Sequence, residues 1–74
     1  MSAIMSMFTV YKNPTDHPGW FVVRRFEIEA GKVSPCELVA KETTLEAVRE
    51  KIPEDLYRMD RQPNDDPKIV EVWL

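Results

Sequence analysis

The side chains of this sequence best suited to binding chemistry are Arg24, Arg25, Arg58 and Arg61. A guanidinium presents its donors in a fixed fork and can grip a carboxylate or a phosphate through two hydrogen bonds. Trp20 and Tyr57 stand near them in sequence and offer stacking faces of the kind that single-strand nucleic-acid binders use. The four arginines are therefore a candidate partner- or anion-binding set. Acids compete for them at short range. Asp60 lies between Arg58 and Arg61, and Glu27 and Glu29 follow Arg24-Arg25. Ion pairing within the chain is the plainer expectation for all four.

The remaining reactive groups are few: one histidine, His17, and one cysteine, Cys36. Asp16-His17 and Asp65-Asp66 fall in two proline-containing loops, so a small enzyme would have to bring those loops together at one pocket. A metal site would need a second histidine or a recognisable ligand spacing, and neither is present. Asp16 and Asp65 read more simply as turn formers whose carboxylates bond nearby backbone. Cys36 stands between Pro35 and Glu37, far from the electropositive setting that activates a thiol, so it reads as a small apolar side chain. Two glycines, Gly19 and Gly31, cannot build a phosphate-cradling loop of the usual kind. No catalytic residue, metal ligand or cofactor site is assigned, and the protein is expected not to be an enzyme.

These groups must be held by a small scaffold. The chain has 74 residues, which allows one domain spanning 1–74. Leu, Ile, Val and Phe supply about a quarter of it, enough for a folded core, although so short a chain buries only about 60% of its unfolded surface. A lone cysteine excludes an internal disulfide, so stability must come from the core, from strand pairing or from a partner subunit. The net charge is −3 and is concentrated after residue 37, which lacks the basic footprint of a general nucleic-acid binder. The first residues have no basic or apolar signal pattern, and the longest apolar run is only Trp20–Val23, so neither export nor membrane insertion is expected. A cytoplasmic setting is the resulting expectation.

Hydrophobic patterning places four strands and one helix. Residues 7–11 are β-branched and aromatic. Residues 20–29 alternate strongly: Trp20, Val22, Arg24, Phe26 and Ile28 on one face, Phe21, Val23, Arg25, Glu27 and Glu29 on the other. The first face is the more apolar and is assigned to the core. Ala30-Gly31-Lys32 reads as a turn and Cys36–Lys41 as a third strand. Thr43-Thr44-Leu45-Glu46 fits a capping box, followed by a helix over about 44–52 whose Leu45, Val48 and Ile52 form one apolar stripe. Ile69–Leu74 is a terminal strand, with Glu71 as the polar residue of a half-exposed element. The fold expected is α+β: a three- to four-stranded, mostly antiparallel sheet in β-β-β-α-β order with one helix on one face. A three-residue stripe cannot cover both faces. Phe21, Val23 and Trp73 are the candidate interface residues on the face left open.

Two segments, Phe21–Ile28 and Asn64–Trp73, together with Thr44-Leu45-Glu46 and Ile52-Pro53, resemble small uncharacterised bacterial and phage-type proteins of similar length. That resemblance implies a bacterial or phage setting and brings no activity, cofactor or site residue with it. The function expected is a non-enzymatic interaction or binding module that self-associates through a sheet face or edge, as a homodimer or with a protein partner. The alternative is a nucleic-acid-associated accessory protein using Arg24, Arg25, Arg58 and Arg61.

Overall fold

The computed structural model describes residues 4–63 and 66–74. Strands β1 (Met5–Lys12), β2 (Phe21–Glu29) and β3 (Lys32–Glu42) run as a meander. Helix α1 (Leu45–Arg49), β4 (Arg58–Asp60) and β5 (Ile69–Trp73) follow. The sheet order is β3-β2-β1-β5-β4, and every neighbouring pair is antiparallel. The α+β class holds, with five strands rather than three or four. The additional strand is β4, three exposed residues long, which has no apolar alternation to announce it. Its pairing continues one step further, because Tyr57 and Leu74 exchange both backbone hydrogen bonds, at 2.9 and 3.1 Å.

Local chemistry explains the connections. Between β1 and β2, Asn13 adopts φ +52° and its side-chain oxygen accepts from the Gly19 N–H at 2.7 Å, while its own N–H donates to the Trp20 carbonyl. Asn is among the few residues that tolerate that conformation. Between β2 and β3, Glu29 pairs with Lys32, leaving a two-residue turn with Ala30 at φ +51° and Gly31 at φ +79°. Positive φ at both central positions matches a type I′ turn, whose twist suits a hairpin. β3 is longer than the sequence pattern indicates, because the hairpin carries Val33, Ser34 and Pro35 into register with β2. Pro35 is tolerated there because β3 is an edge strand.

α1 is shorter than expected, with Thr44 as its N-cap. The Thr44 hydroxyl accepts from the Ala47 N–H at 3.2 Å. The cap thus sits one residue later than the Thr43–Glu46 box, whose reciprocal half is not formed. The core lies where α1 crosses the sheet: Phe8, Val10 and Val23 from the strands meet Val48 and Ile52, ringed by Phe21, Val39, Leu45, Leu56, Val70 and Trp73. The helix stripe packs as expected, but against the opposite face of β2. Phe21 and Val23, not Trp20 and Phe26, meet the helix. The reason is that apolar character on β2 changes face along the strand, so counting over its whole length picks the wrong side for the half that α1 reaches.

The I′ turn provides a test. Ala at positive φ costs about 1 kcal/mol that Asn or Gly largely avoids. Ala30→Asn is expected to raise stability by about 0.5–1 kcal/mol in chemical denaturation, with an unchanged denaturant slope.

Candidate functional site

Strand alternation continues into β5 and puts Glu71 on the helix-covered side, between the core and β4. Its side chain is fully buried. Both carboxylate oxygens are occupied. Oε1 accepts from Arg49 Nη2 at 2.6 Å and Arg58 Nε at 3.1 Å; Oε2 accepts from Arg49 Nε at 3.0 Å and the Trp73 indole N–H at 2.6 Å. Burial by itself pushes the Glu71 carboxyl up, yet the donations from Arg49, Trp73 and Arg58 hold it below the ordinary carboxylate value. The same contact raises Arg49. Glu71 is thus a buried residue rather than the half-exposed one that its strand pattern suggests. Period-two counting shows that Glu71 shares a face with Trp73, but only the fold shows that α1 lands there and supplies Arg49 as a lid.

The cluster anchors the scaffold, since all acceptor capacity of Glu71 is used within the chain. Arg58 also reaches Asp60 Oδ1 at 2.8 Å. Arg25, on the same side of the sheet, donates to Glu37 from Nε at 2.7 Å and from Nη2 at 3.2 Å, and to Glu27 at 3.2 Å. Glu37 is held low mainly by that bond. Arg24 projects from the opposite side, where its guanidinium pairs with Asp16. Arg61 donates to the Asp66 carbonyl at 3.3 Å. Arg24 thus lies on one face and Arg25 and Arg58 on the other, and each of the three holds a carboxylate.

The two proline-containing loops meet at one end of the sheet. Lys68 Nζ donates to Thr15 Oγ1 at 3.1 Å, and the Lys12 N–H donates to the Lys68 carbonyl at 2.7 Å. His17 Nε2 stands 3.7 Å from Asp16 Oδ2. The Asp66 carboxylate accepts from the Lys68 N–H, a turn-forming bond of the type its position predicts. Asp65 lies outside the described residues. Among the described residues, no group of three or more His, Cys, Asp or Glu is placed to hold a metal ion. Cys36 is half-buried on the edge strand, its thiol 3.6 Å from the Ser34 carbonyl. A cavity of about 310 Å³ beside the hairpin turn is lined by Glu27, Glu29, Ala30, Lys32 and Ser34 and contains none of these reactive groups.

The surface that stands out is the other face of the sheet. Cross-strand partners share a face, so the register defines it directly. Met5 pairs with Ile28 and Ile28 with Val33; Met7 pairs with Phe26 and Phe26 with Pro35. Thr9 pairs with Arg24 and Val72, which in turn meet Leu38 and Met59. At the loop end this face is closed: Val22 is fully buried, with Tyr11 and Lys41 as its cross-strand partners, and the 13–20 loop brings Asp16 back to Arg24. Toward the hairpin turn it is open. Met5 and Val33 are each 54% exposed and Leu38 37%. The candidate interface residues therefore change. Val23 is fully buried, and Phe21 and Trp73 pack against the core beneath α1, so these three face the helix rather than solvent.

No family model matches the chain, and no curated protein or solved structure matches it either. Among the described residues, no helix is long and apolar enough to cross a membrane.

Glu71→Gln is expected to cost about 3 kcal/mol, the low end for breaking a buried pair, because Arg49 and Arg58 are partly solvated. Arg58→Ala should cost less, since Arg49 still holds both oxygens. The Glu71 carboxyl is lower in the fold than the unfolded value of about 4.3. Its contribution is therefore complete above that pH and is lost as pH falls through the folded value. Thermal melts across acid pH should show a steeper loss for the parent chain than for Glu71→Gln.

Proposed function

We propose that the protein is a non-enzymatic interaction module whose binding surface is the open, hairpin-end half of the sheet. The observation that carries this reading is the change of apolar face along β2. From Phe21 to Val23 the helix-side residues are apolar and covered; from Arg25 to Glu29 the helix side is charged, while Phe26 and Ile28 face the other way. A sequence that spends Phe26, Ile28, Met7 and Val33 on a face its own helix never reaches is patterned for cover from outside. Contiguous apolar patches of this kind mark interaction sites.

A face serves better than an edge. β4 is three residues long, and β3 carries Pro35 and two irregularities in its register with β2. Short strands, prolines and bulges are the devices that block strand addition. The arginine positions give no common basic surface, so the nucleic-acid alternative gains no support from them.

At dilutions where sedimentation gives the single-chain mass, the parent protein is expected to bind an apolar fluorescent dye saturably. Phe26→Glu should weaken that binding about tenfold or more, about 1.4 kcal/mol, with unchanged far-UV circular dichroism. Dye binding unchanged in Phe26→Glu, or absent from the dilute parent chain, would sink the proposal.

A further inference from the structure

We infer that residues 53–63, which carry β4, form a strap that opens as a unit and uncovers the outer edge of β5 while α1 stays docked.

Burial sets the strap apart. From Pro53 to Pro63 every residue is exposed except Leu56, which packs against the core. Ile52, the residue before it, is buried in that core. Beyond it the chain is held again where the Lys12 N–H donates to the Lys68 carbonyl at 2.7 Å. Between these anchors β4 is the end strand of the sheet and pairs with β5. A segment that buries so little apolar surface opens at a lower free energy than the core around it.

The hydrogen bonds of Glu71 are unequal in a way that permits this. Arg58 reaches the carboxylate through Nε, 3.1 Å from Oε1. Arg49 grips both oxygens, and the Trp73 indole donates to Oε2. When the strap lifts, both oxygens keep a donor and water takes the place of Arg58. The Arg58 guanidinium keeps a partner too, because Asp60 Oδ1, at 2.8 Å, travels with it. Neither charge is orphaned, so the opening escapes the penalty for a bare buried ion. Undocking α1 would strip Arg49 from both oxygens at once and incur that penalty. One carboxylate therefore holds the helix firmly and the strap loosely.

Opening exposes strand edge. β4 lies against β5 at Arg58–Trp73, Met59–Val72 and Asp60–Glu71, and Tyr57 and Leu74 exchange both backbone bonds. By the alternation of an antiparallel ladder, Met59 and Val72 form the next hydrogen-bonded pair. The Val72 N–H thus points at the strap, and the Trp73 N–H points the other way, at Phe8 of β1. Lifting the strap frees the first and leaves the second bonded. An uncovered row of this kind is a template for strand addition, and β4 is its removable cover.

Native-state hydrogen exchange, read amide by amide on the full chain over a low-denaturant series, tests this. The Tyr57, Met59 and Val72 amides are expected to be less protected than the Trp73 amide by about tenfold or more, with a weaker denaturant dependence because little surface is exposed. Arg58→Ala should lower protection at these three amides about fivefold. Val48→Ala, which loosens the core beneath α1, should lower protection at Trp73 and leave the three unchanged, since Val48 stays packed in the open form. Equal protection and equal denaturant slope at Val72 and Trp73 would make the strap part of one cooperative unit and overturn the inference. So would an Arg58→Ala chain with all three amides unmoved, or a Val48→Ala chain in which they loosen, which would mean that α1 leaves with the strap. The comparison of Val72 with Trp73 needs no substitution and decides the matter even where Val48→Ala fails to fold.

Discussion

The Glu71 carboxylate is the interaction on which the rest of the structure depends. β5 joins the meander to β4, and α1 has only five residues, too few to be stable alone. One buried anion ties all of these together. Arg49 reaches it from the helix, Arg58 from β4 and Trp73 from its own strand. Removing a charge from water costs several kcal/mol, and the cost is met only when every lone pair is bonded. That condition is satisfied here by four donated hydrogen bonds. An apolar residue at 71 would pack without specifying where α1 sits. The carboxylate constrains that placement, because Arg49 grips both of its oxygens through the Nε–Nη2 edge of one guanidinium.

With α1 pinned at the loop end, the sheet divides into two halves of different character. At the loop end both faces are closed, one by the helix and one by the 13–20 loop over Val22. At the hairpin end the helix side is a network of Arg25, Glu27 and Glu37, and the other side is apolar. The short helix therefore does two things at once. It completes a small core, and by stopping short it leaves the hairpin end of its own side to the ion pairs of Arg25, Glu27 and Glu37.

The strand and turn positions were legible because they rest on local chemistry: alternation in β1, β2 and β5, and Ala30-Gly31 between paired residues. β4 was not, since Arg58-Met59-Asp60 has no pattern and exists as a strand only because β5 offers it an edge. The capping-box pattern starts at Thr43 whereas the cap is Thr44, since either of two adjacent threonines can fill that role. The pattern points to the wrong face of β2 because Phe21-Val22-Val23 is apolar on both sides and the long count favours Phe26 and Ile28. Arg24, Arg25 and Arg58 form one set in sequence, but alternation sends Arg24 to the opposite side; Arg25 and Arg58 do reach the near acids Glu27 and Asp60, whereas the pairings with Asp16, Glu37 and Glu71 need the fold.

The amino-acid order alone was sufficient for a small α+β domain, its hairpin, its helix stripe and a shortage of reactive side chains. Those properties follow from period, turn chemistry and composition, which act over a few residues. Tertiary structure alone decided that Glu71 is buried, that Val23 is core with Phe21 and Trp73 packed against it, and that Met7, Phe26, Ile28 and Leu38 lie on the face opposite α1. Each depends on where a five-residue helix lands on a five-stranded sheet. That placement is set by contacts between residues as far apart in the chain as Arg49 and Glu71, which no local pattern encodes.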